Sequence, residues 1–219
     1  MINICSACGL YRADQIVDPV DPTGPVVICP ECGKRRPFVR LPLLVVTGAS
    51  GAGKSTVCNR LLGRVRDAVI LDSDILWRPE FNTPEDGYRA YFDLWLRVCK
   101  NINQSGRPVV LFGAGIGVPA NLAPSVECRY FSAIHYLALV CSDDALAQRL
   151  QARPAWRNAA ADAYIAEHQQ FNRWFRTYGD RQPPIDLLDT THVNVEATTC
   201  QVAAWIDTTI RPSLIDQRG

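Results

Sequence analysis

Eight consecutive residues, Gly48-Ala49-Ser50-Gly51-Ala52-Gly53-Lys54-Ser55, follow the pattern G-x-x-x-x-G-K-[ST]. Glycines at this spacing let successive backbone N–H groups turn inward around phosphate oxygens, and a helix opening at the lysine adds partial positive charge at its start. Lys54 would neutralise the β- and γ-phosphates of a nucleoside triphosphate and Ser55 would place its hydroxyl on Mg²⁺, with Thr56 beside the α-phosphate.

Loops of this kind serve several classes of nucleotide enzyme, so the neighbouring acids decide between them. The apolar run Val109–Phe112 ends in Gly113, not in the Asp-Glu pair expected of a motor ATPase, and no Asn-Lys-x-Asp guanine signature occurs. Two acids instead follow the run Val69-Ile70-Leu71, as Asp72-Ser73-Asp74. A carboxylate there can order a Mg²⁺ shell, or take the proton of an acceptor hydroxyl as it becomes a nucleophile. Further on, Arg149, Arg153 and Arg157 recur every four residues, which aligns them on one helix face until Pro154 ends the helix and moves Arg157 to a loop. Guanidinium suits phosphate because it is planar, always charged and able to fork onto two oxygens. Gly115 and Gly117, at the carboxyl end of the third apolar run, form either a tight turn or a substrate loop.

A second chemistry sits at the front of the chain. Cys5-x-x-Cys8 and Cys29-x-x-Cys32 are separated by 20 residues, the arrangement of a four-thiolate zinc site. Gly9 and Gly33 give the backbone room to turn after each pair. Four thiolates leave no position for water, so the expected role of the zinc is structural, and its binding energy is the folding energy of a segment too short for its own core. Lys34, Arg35, Arg36 and Arg40 form a short basic cluster offset by Asp14, Asp18, Asp21 and Glu31. The segment could contact nucleic acid, a protein partner or only the rest of its own chain. Cys58, Cys99, Cys128, Cys141 and Cys200 fall mostly in apolar stretches and read as small hydrophobes.

These residues need a scaffold, and the remaining pattern supplies one. At 47% hydrophobic and 21% charged over 219 residues, the composition excludes disorder and fibrous classes. The net charge of +1 gives no whole-chain attraction to a polyanion or an anionic membrane. No apolar run is long enough to span a bilayer and the start does not resemble a leader, so a cytoplasmic location with no membrane partner is expected. Apolar strands are expected at 42–47, 68–72, 108–113, 134–140 and 185–189, alternating with helical periodicity, which makes a parallel sheet covered on both faces. The composition changes near Val39–Leu41, giving a zinc segment at 1–40 and an α/β domain at 41–219. Tyr88, Tyr91, Phe92 and Trp95 recur at helical spacing and read first as core, and Tyr164, His168, Phe171, Phe175 and Tyr178 mark a later helix by the same spacing.

Residues 3–38 resemble the zinc ribbon family, and most of 41–219 resembles the small-molecule and nucleotide kinases of the P-loop family, such as shikimate, gluconate and adenylylsulfate kinases and chloramphenicol phosphotransferase. The second resemblance implies a three-layer α/β fold with a five-stranded parallel sheet and a lid near 153–178. It implies ATP as donor, with Asp72 ordering Mg²⁺ through water and Asp74 meeting the acceptor hydroxyl. Arg149 would flank the adenine, Arg153 and Arg157 would reach the transferring phosphates, and His192 and Val193 would lie by the base. Arg78 could pair an anionic acceptor. The expected activity is transfer of the γ-phosphate to a small hydroxyl- or phosphate-bearing acceptor. The alternatives are a polynucleotide-end kinase whose ribbon holds the strand, and a non-catalytic nucleotide-dependent switch.

Overall fold

The computed structural model describes residues 2–157 and 159–216, without the side chains of 214–216. The front of the chain forms β1 (Ile16–Asp18), β2 (Val26–Ile28) and β3 (Arg35–Pro37), an antiparallel meander in the order β1-β2-β3. After it come β4 (Leu43–Thr47), α1 (Lys54–Leu61), β5 (Val69–Asp72), α2 (Arg89–Asn103), β6 (Val109–Phe112), α3 (Pro119–Leu122), β7 (Ile134–Val140), α4 (Asp143–Gln151), α5 (Asp162–Arg176), β8 (Ile185–Asp189) and α6 (Val195–Asp216). The five later strands form one parallel sheet in the order β5-β6-β4-β7-β8, within two residues of the expected positions at every boundary.

Alternation along the central strand explains the layers. Leu44 and Val46 of β4 face α1 and α6, where Val57, Leu61, Val202 and Ile206 pack. Leu43 and Val45 face α2, against Phe92, Trp95 and Leu96. Both faces are therefore dry, as continuous apolar strands demand. Of the aromatic stripe, Tyr91, Phe92 and Trp95 of α2 are buried core, as their spacing suggested, while Tyr88 lies just before the helix and is only partly buried against them. Of the five scattered cysteines, Cys58, Cys99 and Cys141 are buried, but Cys200 is exposed because it lies on the outer face of α6.

The chain leaves β4 for strands on one side of it and returns through β7 on the other, so the crevice past the carboxyl end of β4 is a topological switch point, where open α/β sheets bind ligands. The amino ends of the strands carry the ribbon instead. The Tyr130 hydroxyl, just before β7, donates to Ala13 O at 2.5 Å and accepts from Gln15 N at 3.0 Å. Its ring meets Phe38 edge-on, and the Gln104 side chain, just after α2, pairs both ways with the Val39 backbone. The ribbon and the switch-point crevice thus occupy opposite ends of the sheet.

Candidate functional site

A cleft of about 530 Å³ opens at the switch point. Ser50 to Thr56 line it, together with Asp72, Asp74, Gly113, Ala114, Arg149, Arg153, Arg157, Thr190 and Val193. The loop conformation depends on glycine at Gly48, where φ is +137° and a Cβ would stand 2.3 Å from Leu139 O. Gly53, at φ +104°, then turns the chain into α1 so that Lys54 begins the helix. The Lys54 ammonium donates to Gly48 O at 2.7 Å and Ala49 O at 3.0 Å. Its side chain keeps some opening to the cleft, but surrounding protein desolvates the ammonium and brings its pKa down to about 8, with Arg153 adding to the fall and Asp74 and Asp72 opposing it.

The two acids are set by the peptide between them. Ser73 is buried, and its carbonyl accepts from the Tyr91 hydroxyl at 2.6 Å and the Trp95 indole at 3.1 Å, so α2 grips the turn that carries both carboxylates. Asp72 Oδ1 accepts from Asp74 N at 3.0 Å, capping the 3₁₀ turn Ser73–Leu76. The Asp74 carboxylate has no hydrogen-bond partner among the described residues. Partial desolvation and the charge of Asp72 push its pKa up, against Lys54 and Arg157.

The arginines all reach the cleft, by a different route from the one their spacing suggested. α4 is capped by Ser142, whose Oγ accepts from Ala145 N, but it ends at Gln151, so Arg153 lies beyond the helix and Arg157 ends a separate 3₁₀ turn. The bend just before Pro154 turns the chain back over the cleft. Arg149 is forked onto Thr190, with Nη1 to Oγ1 at 3.0 Å and Nη2 to the carbonyl at 2.6 Å. Thr190 carries no signal in the sequence, because its role is to receive an arginine from a distant helix. Val193 lines the cleft as well, but His192 does not.

Three expected substrate residues stand apart from it. Arg78 is exposed and outside the cleft lining. Gly117 is packing: a Cβ there would lie 2.0 Å from Thr47 Cβ, so the glycine lets this turn sit directly on β4. Gly115 faces Phe92 at ordinary contact distance. The cluster contributes Gly113 to the cleft, and a Cβ on Gly113 would strike Ser73 Oγ at 2.3 Å.

At the far end of the sheet the four expected cysteines converge, their sulfur atoms all within 4.8 Å of one another. Cys5–Cys32 and Cys8–Cys29 are 3.6 and 3.7 Å apart, against about 3.8 Å for the edge of a tetrahedron with Zn–S bonds of about 2.3 Å. The N–H groups of Cys8 and Ala7 stabilise the Cys5 thiolate and lower its pKa to about 6, and those of Cys32 and Glu31 lower that of Cys29. The donor set and its spacing fit zinc. The basic cluster beside it is largely committed: Arg35 pairs with Asp18 and Asp21, and Arg36 donates to the carbonyls of Ile2 and Ile4 and to Gln15.

A family model described as an AAA domain matches residues 43–178, more than half of the chain. The chain belongs to the AAA domain family. No curated protein matches it. Among solved structures, a sugar kinase from Janibacter sp. HTCC2649 is similar with a TM-score of 0.56 at 14% identity, over 80% of this chain and 98% of that one. A gluconokinase from Sinorhizobium meliloti 1021 gives 0.53 at 16%, over 83% and 99%. A shikimate kinase from Acinetobacter baumannii, solved with shikimate, gives 0.51 at 17%, over 78% and 96%. At these identities the likeness is one of fold, that of the P-loop kinases. No helix among the described residues is long and apolar enough to cross a membrane.

Proposed function

We propose that the chain is an ATP- and Mg²⁺-dependent phosphotransferase that moves the γ-phosphate to a hydroxyl or phosphate of a small molecule. The observation that carries this reading is the Asp74 carboxylate, free of partners among the described residues and raised in pKa, in the same cleft as Lys54. A non-catalytic switch has no use for a carboxylate held ready in this way, and Gly113 stands after β6 where a motor ATPase would carry its acidic pair. A phosphotransferase uses it to accept the proton of the acceptor hydroxyl while that oxygen bonds to the γ-phosphorus and the bridge to the β-phosphate breaks.

Phosphoryl transfer otherwise asks for positioning and charge neutralisation. The loop amides and Lys54 would hold the β- and γ-phosphates, while Arg153 and Arg157 reach the cleft from beyond α4 to meet the charge on the transferring group. Arg149 and Val193 would border the base, with Thr190 locking the Arg149 guanidinium in plane. Ser55 and Asp72 offer the hard oxygen ligands that Mg²⁺ prefers, and the ion would supply neutralisation between the phosphates.

The placement of the ribbon weighs against a strand-holding kinase, since a nucleic-acid end gripped there would be at the wrong end of the sheet. The ribbon is read as a structural or partner-docking module holding one zinc ion. The test is incubation with γ-labelled ATP and Mg²⁺ against pooled nucleosides, nucleotides, sugars, aminoglycosides and short RNA or DNA, beside Asp74→Ala. Label moved to one small-molecule pool by the wild type alone supports the reading. Label in no pool despite tight ATP binding overturns it.

A further inference from the structure

The phosphate loop is held by more than its own glycines. Gly51 lies against α4, where a Cβ would meet Leu146 at 3.1 Å and Leu150 at 3.3 Å. α5 reaches the loop as well: Tyr164, near its start, and Ser50 of the loop bring their hydroxyl oxygens to 3.1 Å across 114 positions of sequence. Tyr164 and Ile165 pack with Ala49, Leu146 and Leu150 in one apolar cluster, so the ring is seated and its hydroxyl has a fixed direction.

One helical turn further on, His168 stands edge-on to the Tyr164 ring at 4.3 Å between centroids, with its Nδ1 buried and unpartnered among the described residues. Burial holds this imidazole towards its neutral form, and the nearby cations Lys54 and Arg153 act in the same direction against Glu167. A neutral ring can brace Tyr164 without adding a further positive charge beside the loop.

The connection between α4 and α5 carries Arg153 and Arg157, and both of its ends are now accounted for. Upstream, Arg149 is forked onto Thr190. Downstream, the bond from Tyr164 to Ser50 is the polar tie between α5 and the phosphate loop among the described residues. We propose that Tyr164 is a positioning residue whose hydroxyl, joined to Ser50 Oγ, latches α5 to the phosphate loop and so sets Arg153 and Arg157 over the phosphates, with His168 bracing the ring. The assignment rests on the reading of the cleft as a nucleoside triphosphate site.

Tyr164→Phe removes one oxygen and keeps the packing; Ser50→Ala removes the same bond from the other side and serves if the first variant is unstable. The two variants and their double would be measured for equilibrium binding of a non-hydrolysable ATP analogue, with kcat, KM and thermal unfolding alongside. A latch predicts that each single change weakens analogue binding by about three- to tenfold, the range of one hydrogen bond, and that the double is no worse than either single. It also predicts that Tyr164→Phe adds little in a background carrying both Arg153→Ala and Arg157→Ala, while the unfolding midpoint stays put. Analogue binding equal to wild type, or losses that multiply in the double variant, overturn the latch. Wild-type analogue binding without phosphate transfer would defeat the functional reading and leave the binding cycle to decide the latch; no wild-type binding would overturn both.

Discussion

Asp72 accepts the backbone N–H of Asp74 at 3.0 Å. One of the two neighbouring carboxylates therefore also builds the turn, while the other projects into the cleft with no partner among the described residues.

That difference separates their substitutions. Asp74→Asn is expected to lower kcat by about 10²–10⁴-fold with little change in ATP affinity. Asp72→Asn is expected to raise the Mg²⁺ concentration needed for half-maximal rate. On the proposed reading Asp74 works as its carboxylate, and since its pKa is raised, activity should fall as pH drops through a value higher than that of an ordinary aspartate. Rate profiles against pH and Mg²⁺ decide this, and equal behaviour of the two variants would refute the division of roles.

Lys54 titrates in the opposite sense. Its pKa is lowered to about 8, so the charge on the free protein is present below that value and is lost as pH rises through it. ATP affinity should fall correspondingly above pH 8, with proton uptake on binding that calorimetry in buffers of different ionisation heat would detect. Lys54→Met should remove both the affinity and its pH dependence.

Gly117 and Gly115 are two residues apart but should respond differently to alanine. A Cβ at Gly117 would overlap Thr47, so Gly117→Ala is expected to cost about 1–3 kcal/mol of stability in a denaturant titration. Gly115→Ala meets Phe92 at 3.4 Å and Asn121 at 3.9 Å, both ordinary contacts, and should be nearly neutral. If Gly117→Ala altered acceptor KM at unchanged stability, the turn would belong to substrate after all.

Removal of metal should be felt beyond the ribbon. Tyr130 bonds to Ala13 and Gln15, its ring lies 3.8 Å from the Lys100 ammonium, and Lys100 forms a buried ion pair with Glu127. Loss of the ribbon would open this pair to water and strand Phe38 and Tyr130 at the surface. We expect about one zinc per chain, and a fall in the unfolding midpoint of several degrees on chelation or in Cys29→Ser. Protein purified with far less than one zinc, or an unchanged midpoint, would argue against a metal-dependent ribbon.

The strands, the phosphate loop and the cysteine quartet were legible because each is encoded by a local pattern: an apolar run or a spacing. Thr190 and Tyr164 were not, since each matters through a partner more than 40 positions away that only the fold brings near. The role of Gly117 stayed open between a tight turn and a substrate loop for a related reason. A glycine that admits a neighbouring side chain and one that admits a ligand look alike in sequence, and only the position of Thr47 separates them. Arg153 reached the cleft for a reason the periodicity did not contain, because the helix stopped first.

The ribbon is fastened to the amino ends of strands whose carboxyl ends open on the cleft, and β4 alone, five residues long, sets them roughly 16 Å apart. Tethering and turnover are consequently compatible in one molecule. Whatever is held at the metal end leaves the mouth of the cleft free for exchange of substrate and product, so an anchored copy would raise the local rate around its anchor without shielding its own entrance.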